Sequence, residues 1–394
     1  MADVEFNPFR PEFVADPYPF YRRLREQDPV HESPFGFWVL TRYDDVMTAL
    51  RDPRFGRGGF EHLLRDRIAG SADELSMLFR DPPDHTRLRG LVNKAFTPRV
   101  VEGLRPRIQQ LIDELLDRAQ DAHALDVIAD FAYPLAVIVI CEMLGVPARD
   151  RDRFKQWSAD IARGLDAISL PAPAGVAERG RAANAALLDY FRALIAERRG
   201  RPRPDLLTAL IAAEEQGQTL SEGELLSTCV LLLVAGHETT VNLIGNGLLA
   251  LLRHPAELAA LRADPALAPG AVEELLRYDG PVQRTGRITS AEVELGGKTI
   301  PKGALVLSML GGANRDPAHF PDPDRLDIRR GDTRHLGFGW GIHFCLGAPL
   351  ARVEAQLALA TLLRRRPGLA LATATPEWRE GTALRGLKAL PLTF

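Results

Sequence analysis

No stretch limits the fold of this 394-residue chain more than Gly337-Phe338-Gly339-Trp340-Gly341-Ile342-His343-Phe344-Cys345-Leu346-Gly347. It sets a single cysteine in a loop punctuated by four glycines. Backbone so rich in glycine can take left-handed angles and lie close to something bulky. From Ala348 to Leu363 the pattern turns helical, with Leu346, Leu350, Val353 and Leu357 on one face. Cys345 then falls at a helix N-terminus, where the N–H groups and the dipole favour a thiolate. A thiolate in an open glycine frame suits a metal. The competing reading is a structural cysteine, because free Cys is among the most buried residue types.

A second constraint lies upstream. Ser221-Glu222-Gly223-Glu224 has capping-box spacing, and helical character runs to about Arg253, before Pro255. Such a helix is ~48 Å long, enough to cross the molecule. Val230 to Ala235 is apolar on every face, so it belongs in the core. Gly236-His237-Glu238-Thr239-Thr240 then interrupts it, and burying a carboxylate is costly without a purpose. Glycine followed by Thr hydroxyls is expected to open the helix ladder there. Elsewhere, His85 and Arg89 share a helix face that Asp84 is expected to cap. Glu274 and Arg277 form an i,i+3 pair, ordinarily worth only a few tenths of a kcal/mol.

Together these motifs carry a resemblance. FGxGxHxCLG (Phe338, Gly339, Gly341, His343, Cys345, Leu346, Gly347) resembles the haem-binding loop of cytochromes P450. AGHETT resembles the family's acid–alcohol pair, His85 and Arg89 its HxxxR, and Glu274 and Arg277 its ExxR. The chain is thus similar to the bacterial soluble cytochrome P450 family over nearly its whole length. The resemblance implies a mainly α fold with a smaller β portion, a long central helix over the haem, and one domain spanning 1–394. It implies haem b, with Cys345 as metal ligand and His85, Arg89, Arg287, Phe338, His343, Gly347 and Ala235 in contact with the cofactor. Glu238 and Thr239 become the proton-delivery residues. Glu274, Arg277 and Arg325 become a structural triad. Phe60, Leu63, Leu64, Leu231, Val234, Val282, Gln283 and Leu384 become the substrate pocket, and the break at 165–178 a lid.

Periodicity fills in the rest. Helices are expected at Tyr18–Gln27, Tyr43–Arg51, Val101–Ala119, Val127–Leu144, Asp150–Leu165 and Ala177–Arg198. Strands are expected at Phe37–Thr41, Glu292–Leu295, Gly297–Ile300 and Ala304–Leu310, with a hairpin region from Glu380 to Phe394. Residues 53 to 80 lack periodicity and read as a loop. The resemblance makes it the variable loop over the pocket.

Three cysteines exclude a disulfide framework, and a net charge of −3 offers nothing to nucleic acid. The apolar runs Leu135–Cys141 and Cys229–Ala235 fall short of the ~20 residues that span a bilayer. A cytoplasmic monomer without a membrane anchor is expected. The sequence has no flavin, nicotinamide or iron–sulfur signature, so two electrons must come from a ferredoxin or flavodoxin with its reductase. The implied reaction is hydroxylation or epoxidation of a lipophilic small molecule with O2. A peroxide-driven peroxygenase would lack the acid–alcohol pair, and a non-catalytic docking relative would lack Cys345.

Overall fold

The computed structural model describes residues 6–61, 75–119, 123–170, 174–215 and 217–394. Leu63 and Leu64 lie outside the described residues, as do Pro171 and Pro173 in the expected lid. The rest is mainly helical with a smaller β portion, as expected. The chain forms two compact units. One comprises Met1–Phe55, Arg105–Leu135 and Thr239–Phe394; the other comprises Gly56–Leu104 and Ala136–Glu238.

The first unit carries a five-stranded sheet in the order Val30–Glu32, Phe37–Leu40, Leu305–Met309, Arg284–Thr289 and Phe55–Gly56. Phe37-Trp38-Val39-Leu40 is all β-forming and fully buried, which places this strand inside the sheet. Leu305–Met309 pairs parallel with it and antiparallel with Arg284–Thr289, setting Val306 opposite Arg287. Trp38, Leu40, Val306 and Ile300 pack with Tyr43, Val46 and Leu50 of the helix Tyr43–Arg51. Leu336, just before the cysteine loop, and Trp340, within it, join the same cluster. The loop is therefore rooted in the core.

The helix Ala348–Arg365 follows the cysteine and is buried along most of its length. Leu350 and Val353 are buried, while Leu346 and Leu357 are half-buried. Glu354 is 1 % exposed, and its Oε2 has no hydrogen-bond partner among the described residues. Burial holds its carboxyl well above the ordinary value of 4.5. Folded protein therefore keeps a proton that unfolded chain releases, and stability must fall as pH rises above that value. Glu354→Gln removes the conflict. In denaturant melts from about pH 5 to 8 its advantage over wild type is expected to grow, by at most ~1.4 kcal/mol per pH unit. Parallel pH profiles would contradict this.

The helix Glu222–Arg253 is continuous over 32 residues. The capping box is real: Glu224 N donates to Ser221 Oγ (3.2 Å), and Ser221 N to Glu224 Oε2 (2.8 Å). By length and composition the helix could cross a membrane, yet 78 % of its most apolar window is buried inside the protein.

Four expectations need correction. Asp84 is the first residue of the helix Asp84–Ala95 rather than its cap; Pro83 holds that position without a side-chain bond, and His85 N donates to the Asp81 carbonyl (2.9 Å). Val127–Leu144 is not one regular helix. Val127–Ala132 is a π-helical turn, followed by an α-helix at Tyr133–Met143. Pro134, which lacks an N–H, enters at the junction, where a regular ladder could not continue. The described parts of 53–80 are not simply loop. Asp81 accepts bonds from Arg57 N (2.8 Å) and Gly58 N (2.7 Å), tying the turn Gly58–Phe60 in place. Finally, the helix is not broken at Gly236–Thr240. Glycine there permits close packing instead, because a Cβ at Gly236 would meet Ile140 at 2.9 Å.

Candidate functional site

The cysteine loop is fastened on both sides. Leu336 N donates to Asn314 Oδ1 (2.7 Å) and Gly337 N to His335 Nδ1 (3.0 Å). Cys345 N donates to the Phe338 carbonyl (3.0 Å), and Phe344 N to that of Gly341 (3.0 Å). Gly341 has φ +73°, and a Cβ there would lie 2.6 Å from the Leu50 carbonyl oxygen, so only glycine fits. Cys345 precedes the following helix rather than capping it. Gly347 is the cap, and Ala348 N reaches back to the Cys345 carbonyl at 3.4 Å. Cys345 is half-buried, whereas Cys141 and Cys229 are buried. Burial pushes the Cys141 thiol up to about 12 and raises that of Cys229 as well. One cysteine is thus presented, and two are packed away.

The first unit carries several of the expected residues. Arg287 is 2 % exposed, not a surface strand arginine, and its Nη1 donates to Thr285 Oγ1 (3.1 Å) and the Gly286 carbonyl (2.8 Å). His343 sits half-buried in the short turn Gly341–His343. Phe338 is half-buried and meets Phe344 edge-on at 6.3 Å. Val282 and Leu384 form an antiparallel bridge, and both stay partly accessible. Gln283 must leave the pocket set. It is 3 % exposed, donates to the Gly280 carbonyl (2.8 Å) and Tyr18 OH (3.3 Å), and accepts from Tyr21 OH (3.3 Å). Neighbouring strand residues face opposite ways, and this amide faces the N-terminal helix.

The scaffold pair is fully buried. Arg277 Nε and Nη2 grip Glu274 at 2.7 and 2.8 Å, and Nη1 donates to the carbonyls of Asn314 (3.0 Å) and Pro323 (2.7 Å). Arg325 does not complete the triad with its side chain. The residue is exposed and contributes only its carbonyl, which accepts from Arg277 Nη2 (3.0 Å). Arg330 takes the place expected for Arg325, with Nε 3.2 Å from Glu274. A second cluster was not read from sequence. Arg352 grips Glu273 through Nε and Nη2, both at 2.7 Å, and His335 Nε2 lies 3.1 Å from the same carboxylate. Burial alone would raise the Glu273 carboxyl, but Arg352 and His335 hold it down to about 2.

In the second unit, His85 is 3 % exposed, one helical turn from the half-buried Arg89. Burial first, and then the Arg89 charge, lower its pKa from the ordinary imidazole value. Phe60 is buried edge-on to Phe79, 6.4 Å between centroids. On the long helix Leu231 is half-buried and Ala235 exposed, four residues apart on one face; Thr239, four further on in the first unit, is half-buried. That row is more accessible than the rest of so buried a helix. Val234 and Glu238 border it, 9 % and 6 % exposed, and His237 Nδ1 lies 2.8 Å from the Leu233 carbonyl. These donors fit a haem. The first unit offers one accessible soft sulfur at Cys345 and a buried guanidinium at Arg287.

Comparison with known proteins agrees. The family model described as Cytochrome P450 matches residues 33–266 and 265–366. Cytochrome P450 107B1 of Saccharopolyspora erythraea is 48% identical over 98% of this chain and 96% of its own. Cytochrome P450 monooxygenase PikC of Streptomyces venezuelae is 47% identical over 97% and 92%. Among solved structures, myxobacterial CYP267B1 in complex with myristic acid superposes with a TM-score of 0.90, at 46% identity over 98% of each chain.

Proposed function

From the premise that this chain belongs to the cytochrome P450 family, we propose that it is a haem-thiolate monooxygenase that hydroxylates or epoxidises a lipophilic small molecule. It is an oxidoreductase whose cofactor is haem b. The observation that carries the fuller reading is Cys345: the accessible one of three cysteines, fixed by the Phe338 carbonyl in a glycine-built turn. When bound, the haem supplies the iron at which O2 is activated, and thiolate ligation favours O–O cleavage.

The chain's own residues do the rest. Cys345 would supply the sulfur, and the Arg287 guanidinium, Arg89, His85 and His343 would hold the propionates. Two donors one turn apart can share one carboxylate. Phe338, Gly347 and Ala235 would lie against the macrocycle. Glu238 receives protons from solvent, and the Thr239 hydroxyl passes them on. The burial of Glu238 and partial accessibility of Thr239 support that order. Phe60, Leu231, Val234, Val282 and Leu384 give the substrate an apolar lining, and the myristic acid in the CYP267B1 structure supports a lipophilic guest. Leu63 and Leu64 are assigned to the same lining from sequence alone. Electrons come from a ferredoxin or flavodoxin with its reductase. We place the enzyme in the cytoplasm as a monomer and treat 1–394 as one domain, a reading supported by matches to nearly the whole chain.

The spectrum of the reduced, carbon-monoxide-bound protein tests the ligand: a Soret band without the thiolate shift would sink the reading. Thr239→Ala tests the proton path. It is expected to raise peroxide release per electron consumed several-fold, and unchanged coupling would remove Thr239 from the relay. A spin-shift titration with a sterol, a macrolactone and a fatty acid would sort the substrate class.

A further inference from the structure

Resting on the haem-thiolate reading above, we propose that Arg352 is a positioning residue for Cys345, and that the Glu273–Arg352 pair sets the electrostatic potential at the sulfur. Neither residue belongs to the ligand set, yet both close on the cysteine loop. The guanidinium carbon of Arg352 lies 4.7 Å from the centroid of the Phe338 ring. Phe338 in turn accepts the Cys345 N–H through its carbonyl at 3.0 Å. The opposite end of the same segment is held by His335, whose ring binds Glu273 at 3.1 Å and accepts Gly337 N at 3.0 Å. One carboxylate therefore anchors 335–338 at both ends, directly through His335 and through Arg352 by way of the ring.

The pair is set for long-range effect as well as contact. Its two residues stand on packed helices, Ala268–Asp279 and Ala348–Arg365. The side chains are 19 % and 32 % exposed, so solvent screens them less than a surface pair. The planar guanidinium fork fixes where the positive charge points. Arg352 also interacts electrostatically with Cys345 itself. Reduction adds one negative charge at the site. A nearby cation stabilises the reduced form, and a nearby anion opposes it. Arg352 therefore raises the reduction potential, while Glu273 both holds Arg352 in place and offsets its charge.

Near-isosteric charge removal at each end separates this role from simple packing. Reduction potentials of the purified holoprotein, measured by spectroelectrochemical titration at about pH 8, above the ordinary imidazole range, are expected to fall in Arg352→Gln and rise in Glu273→Gln. Shifts in one direction for both variants, or no shift in either, would overturn the proposal, because a loosened loop moves both the same way. If Arg352→Gln does not retain cofactor, Arg352→Lys serves in its place. A potential within error of wild type for that variant, with a raised one for Glu273→Gln, supports the charge effect; a Glu273→Gln value at or below wild type overturns it. Each variant's reduced, carbon-monoxide-bound spectrum is recorded alongside. A wild-type protein without the thiolate shift would overturn the haem-thiolate reading itself rather than the role of Arg352.

Discussion

Cys345→Ala is expected to abolish the thiolate-shifted Soret band completely and to reduce monooxygenase turnover below detection. No other cysteine can substitute. Cys141 is buried with its thiol pushed up to about 12, and Cys229 is buried within the long helix. Both would have to lose their packing before they could ionise and ligate. The structural cost of the change is small by comparison, since the half-buried Cys345 is held by its backbone and the Phe338 carbonyl persists. Protein should therefore still fold, and any residual haem should give an unshifted band. Cys229→Ala is the control and should leave the spectrum unchanged. A shifted band surviving in Cys345→Ala would place the ligand elsewhere.

Glu274→Ala is expected to have the largest effect on stability. Removing one partner of a buried ion pair leaves the other charge uncompensated, at ~3–5 kcal/mol. Here Arg277 is 0 % exposed and would keep only carbonyl acceptors, while Arg330 Nε and the Asp327 N–H lose their acceptor too. Against a net stability of ~5–15 kcal/mol, that loss removes a large part of the folded margin. Arg325→Ala, by contrast, should stay within about 0.5 kcal/mol, because the exposed side chain is dispensable and the carbonyl remains. Denaturant midpoints and haem content of the two variants, measured side by side, decide the matter. Equal midpoints would mean that the buried pair does not support the fold.

The contrast between Arg325 and Arg330 shows where sequence reading stops. Both arginines follow Phe320-Pro321-Asp322-Pro323-Asp324, and spacing alone cannot choose between them. The path of the chain after Asp322, itself at φ 47°, leaves Arg325 exposed and brings Arg330 to Glu274. Local signals were legible. The capping box, the strand Phe37–Leu40 and the cysteine loop are written within a few residues, and each formed. Gln283 misled because it adjoins Val282, while its face of the strand depends on Tyr18 and Tyr21, over 260 residues away. Glu273 and Arg352 are 79 residues apart, and only the packing of their helices joins them. The polar run at Gly236–Thr240 is legible as a motif, whereas the packing of Gly236 against Ile140 depends on a helix about a hundred residues away.

Glu224 has a second partner besides its capping bonds. Arg87, in the helix Asp84–Ala95, holds the same carboxylate through both terminal nitrogens. His85 and Arg89 flank Arg87 on that helix, so the segment that presents them is moored to the first turn of the long helix. One side chain thus fixes the register between two pieces of secondary structure that meet far apart in sequence. Fraying of the long helix at its start would travel as a tilt of the His85–Arg89 face, and the two can be tuned or damaged only together.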